Sequence, residues 1–415
     1  MFAAFDVDQI RREFPALSLK GNDGPAVYFD GPAGSQVPQR VVRAVCDYLS
    51  HTNGNHGGSF ATSRQSDRIL AQAHRTLADF LGTSAAECVV FGPNMTSLTL
   101  SLSRALGRTW DSDDEIIVTS LEHDANVTPW MLAARDAGAH VHHVGVRPGD
   151  CTLNLADFEA KLSDRTRLVA VSYASNATGT INPVRDIVER AHSVGARVFV
   201  DAVHYAPHGL IDVAELDCDF LVCSAYKFFG PHVGILWGKR TLLESLPAYK
   251  LRSAPDELPS KWMTGTQNHE GIAGTAAAVE YLAELGRSVD PNCTTRREAL
   301  ASAFGVIVDY ERELVTQLIA GLGRFENIRI WGITEPSRFA ERVPTVSFTH
   351  RKRKPREIAE KLAAQGIFVW SGNHYALPFT EAMNLEPDGT LRVGLMHYNT
   401  AEEIERLLRA LQELE

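Results

Sequence analysis

The chain has 415 residues, 44% hydrophobic and 22% charged, enough to bury a large core and too many for one compact domain, so one large and one small domain are expected. A formal net charge of −10 supplies no overall basic field; nucleic acid is not expected as a partner, and the basic run at 350–356 reads as a solvated loop. The six cysteines (Cys46, Cys88, Cys151, Cys218, Cys223, Cys293) lack metal-ligand spacing, and neither the start MFAAFDVDQIRREF nor any later stretch is apolar for long enough to be exported or to span a membrane. The expectation is free thiols in the cytoplasm, with no metal and no membrane.

In chain order, residues 7–14 read as a short helix with Asp8 as its cap, followed by an edge-strand and turn pattern at 27–38, VYFDGPAGSQVP, where Asp30 to Gly34 need unusual backbone angles. The Gly-rich stretch TNGNHGGSF at 52–60 precedes a helical pattern at 64–81; it either closes over a ligand or joins two helices. Residues 88–106 read strand, turn, helix, with Asn94, Thr96 and Ser97 at the helix start. Free N–H groups and the helix dipole make such a start a phosphate site, although any capped helix looks similar. The β-prone run from 115 leads to His123 and Asn126. A buried-strand pattern from 167 ends in Ser175 and Asn176, and a helix at 184–195 leads to the strand ARVFVDAVH, which ends on Asp201 with His204 three positions later. Successive βα units imply a mainly parallel sheet. The stretch 221–238, LVCSAYKFFGPHVGILWG, sets Lys227 just beyond a strand's C-terminal end, where an open α/β sheet keeps its chemistry. It is either an ordinary surface lysine or an amine kept uncharged by burial and able to form a Schiff base with an aldehyde. Further on, a helix at 299–322 and strands at 328–331 and 344–348 suggest a smaller α+β unit.

An aspartate at one strand end and a lysine at another fit a pyridoxal phosphate site, the lysine holding the aldehyde and the carboxylate keeping the pyridine nitrogen protonated. Together the two segments resemble the signature of the class V aminotransferase family of pyridoxal phosphate enzymes, the group that contains cysteine desulfurases and selenocysteine lyases. The string EHDAN at 122–126 resembles the EHHAN of the desulfurases, SNATGTINP at 175–183 their SNVLGTVNP, and TLRVGLMHYNT at 390–400 their RASL...YNT. The resemblance runs from about residue 27 to 399. It implies fold type I: a 27–285 α/β domain with a mainly parallel sheet flanked by helices, a smaller α+β domain at 286–415, and an N-terminal segment, 1–26, packing on the small domain.

By that resemblance Lys227 carries the cofactor, His123 lies over its ring, Asn176 touches its phenolic oxygen, and His204 touches the same oxygen or the phosphate edge. Thr96, Ser97, Ser224 and Tyr226 serve the cofactor, chiefly its phosphate, with Tyr226 standing where histidine is common. Gly34 and Ser35 stand where relatives often carry threonines. Thr266, in a turn resembling the family's GTPN type, reaches the phosphate of a neighbouring subunit, which implies a homodimer with shared sites. Arg392 clamps a substrate α-carboxylate through paired hydrogen bonds, and Asn55 and His56 lie near the substrate. The segment IFVWSGNHYALP aligns with the desulfurase loop GIAVRTGHHCAMP, whose cysteine takes sulfur as a persulfide; here Tyr375 occupies that position, and no cysteine follows residue 293. A phenol cannot form a persulfide, so Tyr375 is either a general acid near the leaving group or a packing aromatic. The expected activity is a C–S or C–Se β-lyase acting on an L-amino acid. An aminotransferase or epimerase is the alternative within the family, and a non-catalytic cofactor carrier or regulatory protein the alternative outside it.

Overall fold

The computed structural model describes residues 5–21 and 24–414. Residues 1–4 of the acidic start, 22–23 of the expected N-terminal segment and residue 415 lie outside these. Helix α1 (Val7–Arg12) is capped by Asp6 and not by Asp8: Asp6 has the extended backbone a cap requires and accepts from the Gln9 N–H, whereas Asp8 lies within the first turn. Helix α2 (Ala61–Leu81) begins three residues before the sequence pattern suggests.

Among the described residues seven strands form the main sheet: β1 (Val89–Gly92), β2 (Glu115–Thr119), β3 (His140–Val144), β4 (Thr166–Ser172), β5 (Arg197–Asp201), β6 (Phe220–Ser224) and β7 (Gly234–Gly238). Their order is β1-β7-β6-β5-β4-β2-β3, parallel from β6 to β3, with β7 antiparallel to both neighbours. Strands covered on both faces need apolar side chains on both, which is why FLVCS and EIIVT read as continuous runs without alternation. The arrangement puts the C-terminal ends of β1, β2, β4, β5 and β6 on one edge.

A second, antiparallel sheet holds β8 (Ile328–Trp331), β9 (Thr345–His350), β10 (Trp370–Gly372) and β11 (Thr390–Gly394), ordered β8-β9-β11-β10. Ile10, Phe14 and Leu17 pack into the core of the main sheet, while Val27 and Phe29 pack into that of the second. Helix α3 (Met95–Gly107) follows β1; α4 (His269–Val289) and α5 (Arg296–Leu322) pack together late in the chain. A β-carbon on Gly286 would lie 1.7 Å from the Ala299 carbonyl oxygen, so glycine sets how closely α4 and α5 approach. The first half of α5 (Leu300, Phe304, Ile307) faces the larger core and its second half (Leu314, Leu318, Leu322) the smaller. We propose two units, 27–285 and 286–415, although the change of core itself falls within α5, between Ile307 and Leu314; of the described residues of the 1–26 segment, Ile10, Phe14 and Leu17 pack in the larger core. No helix among the described residues is long and apolar enough to cross a membrane.

Candidate active site

The turns leaving the common edge of the main sheet meet in a pocket walled by residues from β1–α3, β2, β4, β5 and β6 and by Pro32. At its first wall Asn94 caps α3, accepting from the Ser97 N–H at 2.8 Å, and the Met95 N–H donates to Ser224 Oγ at 3.0 Å. Thr96 lines the pocket; Ser97 is exposed and does not. The start of α3 comes this close because Gly234 opens β7 beside it: a β-carbon there would lie 2.4 Å from the Asn94 carbonyl carbon.

His123 follows β2. Its Nδ1 accepts from the Ala125 N–H at 3.0 Å, which leaves the ring proton on Nε2. Burial pushes its pKa down to about 4, with Lys227 and Arg392 acting in the same direction, so the ring is neutral at pH 7. The neighbouring Glu122, fully buried, holds this turn in place. It accepts from Thr119 Oγ1 (2.6 Å), Asn126 Nδ2 (2.7 Å) and the Ser172 N–H (2.9 Å), and Asn126 Oδ1 in turn accepts from Trp130 Nε1. Sequence reasoning assigned no role to Glu122, although the conspicuous EHDAN string contains it.

Asp201 ends β5, buried, with Oδ1 accepting from the Val203 N–H; burial raises its pKa to about 6 against the pull of Lys227. His204 also lines the pocket and shares a 3.0 Å hydrogen bond between Nε2 and Thr345 Oγ1 of β9, while burial holds it well below the usual histidine range. Lys227 follows β6, its Nζ donating to the Pro32 carbonyl and standing 4.8 Å from the centre of the Tyr226 ring. Burial lowers its pKa to about 7; Arg392 lowers it further, and Asp201 and Asp30 oppose. Ser35 fixes the lysine turn: its hydroxyl donates to the Tyr226 carbonyl and accepts from the Phe229 N–H.

Asn176 joins the two sheets. Its Nδ2 donates to the His374 carbonyl at 2.8 Å, and its own carbonyl accepts from Arg392 Nη1 at 2.9 Å. Its Oδ1, together with Asp30 Oδ1 and Arg392 Nε, is buried without a hydrogen-bond partner. Unpaired buried polar atoms are costly; of these residues Asn176 lines the pocket, where a polar ligand would satisfy its Oδ1. Tyr375 lies beyond the pocket wall, 72% exposed, its ring stacked on His123 at 5.4 Å and 16°. Asn55, His56 and Thr266 are exposed and do not line the pocket of their own chain.

An amine near neutrality, a buried carboxylate, a neutral imidazole, an asparagine and a helix N-terminus around one cavity fit a phosphorylated pyridine aldehyde, pyridoxal phosphate. Comparison with known proteins agrees. The profile of the family described as Aminotransferase class-V matches residues 27–407. A cysteine desulfurase of Synechococcus elongatus is 32% identical over 99% of this chain and 64% of its own length. One from Yersinia pseudotuberculosis is 30% identical over 99% of both. The chain spans 58% of a probable cysteine desulfurase of Mycolicibacterium paratuberculosis, so it covers under two thirds of some of these relatives. Among solved structures, an apo cysteine desulfurase from Thermococcus onnurineus NA1 superposes with a TM-score of 0.87 at 28% identity, covering 98% of this chain and 97% of that one. The Escherichia coli cysteine desulfurase CsdA gives 0.83 at 26%, covering 99% and 98%.

Proposed function

This chain belongs to the class V aminotransferase family, and from that footing we propose that it is a pyridoxal phosphate enzyme that cleaves the C–S or C–Se bond of an L-amino acid without a protein-bound sulfur acceptor. The observation that carries the reading is Tyr375, which stands where the desulfurase loop has its cysteine. Among the described residues no cysteine lines the pocket: Cys88, Cys151, Cys218 and Cys223 are buried elsewhere, Cys46 is exposed and Cys293 partly so.

When bound, the cofactor supplies an electron sink at the substrate α-carbon. Lys227 would hold its aldehyde, Asp201 would keep a proton on its ring nitrogen, His123 would cover its ring, and Thr96, Ser224 and Tyr226 would meet its phosphate. Asn176 and His204 would meet its phenolic oxygen. Arg392 binds the substrate carboxylate through the guanidinium edge that carries its unpaired Nε. The Lys227 amine, uncharged above pH about 7, removes the Cα proton. The Cβ–S bond then breaks with its electron pair on sulfur, and Tyr375 Oη gives the leaving thiolate a proton. With one water consumed, the substrate yields a thiol, pyruvate and ammonia. Thr266, exposed on its own chain, would reach the cofactor phosphate of a second copy in a homodimer, and Asn55 and His56, also exposed, would lie near the substrate. The cysteines, all free, suit a cytoplasmic setting.

The test is product analysis on cofactor-loaded protein given L-cysteine, L-cystine, cysteine S-conjugates and selenocysteine. Pyruvate with released thiol is expected. Alanine with released sulfur would overturn the reading in favour of desulfuration, and accumulation of the pyridoxamine form would overturn it in favour of transamination.

A further inference from the structure

The backbone that carries Tyr375 is held in an unusual way. His374 and Tyr375 both have φ of 56°, a left-handed conformation that residues with a β-carbon rarely adopt, and here two such residues are consecutive. They persist because the surroundings pin them. The Tyr375 carbonyl accepts from the Asp124 N–H at 2.7 Å, the His374 carbonyl accepts from Asn176 Nδ2 at 2.8 Å, and the Tyr375 N–H donates to Asn373 Oδ1 at 3.1 Å. The His374 ring is tied to Thr390 Oγ1 at 3.0 Å. A residue that ferries sulfur from a substrate to an acceptor has to move. This loop instead holds the Tyr375 backbone in place, with one ring face against His123 and 72% of the residue exposed.

The anchors fix which part of a substrate would meet that ring. A carboxylate at Arg392 and an α-carbon at Lys227 leave the β-substituent as the remaining branch, and the Tyr375 loop is bonded to Asn176, the residue whose carbonyl takes Arg392. We infer that the free face of Tyr375 is a docking platform for the substituent on sulfur, so that the site prefers cysteine conjugates carrying an aromatic thiol over those carrying a small alkyl group. This rests on the β-lyase reading for its substrate frame, while the ring alone supplies the selection, through stacking and sulfur–aromatic contact.

The experiment separates binding from chemistry. Cofactor-loaded Lys227→Ala protein, which lacks the proton-removing amine, is titrated with S-phenyl-L-cysteine and S-methyl-L-cysteine, and binding is followed by absorbance. The phenyl conjugate is expected to bind about tenfold more tightly, the scale of one aromatic pair. Adding Tyr375→Phe should keep that preference, and adding Tyr375→Ala should abolish it. An equal preference with Tyr375→Ala, or none in the parent, overturns the inference. The KM ratio of the two conjugates in otherwise wild-type protein repeats the comparison should the lysine variant bind neither. Pyruvate formation is assayed separately, so its absence would defeat the elimination reading without altering the binding result.

Discussion

Lys227 can attack an aldehyde only as the free amine, and its surroundings decide when that form exists. Burial is the main cause that brings its pKa down to about 7, with Arg392 assisting, so protonation blocks it below that value. Attachment of pyridoxal phosphate to cofactor-free protein, followed by stopped-flow absorbance, should accelerate as pH rises through about 7 and level off above it. Lys227→Ala should abolish the covalent attachment, leaving the cofactor held only noncovalently, whereas a rate still climbing beyond pH 9 would mean an ordinary solvated lysine. That Lys227, Asp201 and His123 stand at or just beyond strand ends is legible because each follows or closes an apolar run in a recognisable string. Their supports are not. Glu122 meets the Ser172 N–H 50 residues further on, and Ser35 meets the Tyr226 carbonyl 191 residues further on, contacts created by packing that leave no local pattern.

The parallel strands were legible as elements because burial on both faces demands continuous apolar sequence. Direction was not, since GILWG in β7 reads the same whether it runs with its neighbours or against them. The contact of Gly234 with Asn94 lets the start of α3 stand at the pocket, where Met95 and Thr96 line it. Gly234→Ala should therefore destabilise the fold by about 1–3 kcal/mol, the usual cost of overpacking, and weaken cofactor retention as the helix start is displaced. Thermal unfolding and equilibrium dialysis measure the two effects. Unchanged retention would show that the cofactor does not depend on this helix start. Helix ends are legible to within a few residues, and Asp8 competes with Asp6 as the cap because sequence shows which residues can cap but not which one has the extended backbone that Asp6 adopts.

At the scale of the whole molecule, the pocket lies at one edge of the main sheet, with Pro32 as a further wall, and Asn55, His56 and Thr266 stand outside the cavity of their own chain. The homodimer proposal predicts twice the chain mass by sedimentation. It also predicts that mixing Lys227→Ala with Thr266→Ala subunits at limiting cofactor restores activity that neither has alone, because one hybrid site keeps both residues. A monomer, or no restoration, would count against shared sites. The homodimer proposal comes only from the family turn at Thr266, since nothing in composition or periodicity marks a surface for a second copy. Whether sulfur passes through a protein thiol is settled by intact-mass spectrometry of protein quenched during turnover of L-cysteine, with pyruvate measured in the same sample. Unmodified protein with accumulating pyruvate is the predicted result. A protein heavier by one sulfur atom, with alanine as the product, would contradict it.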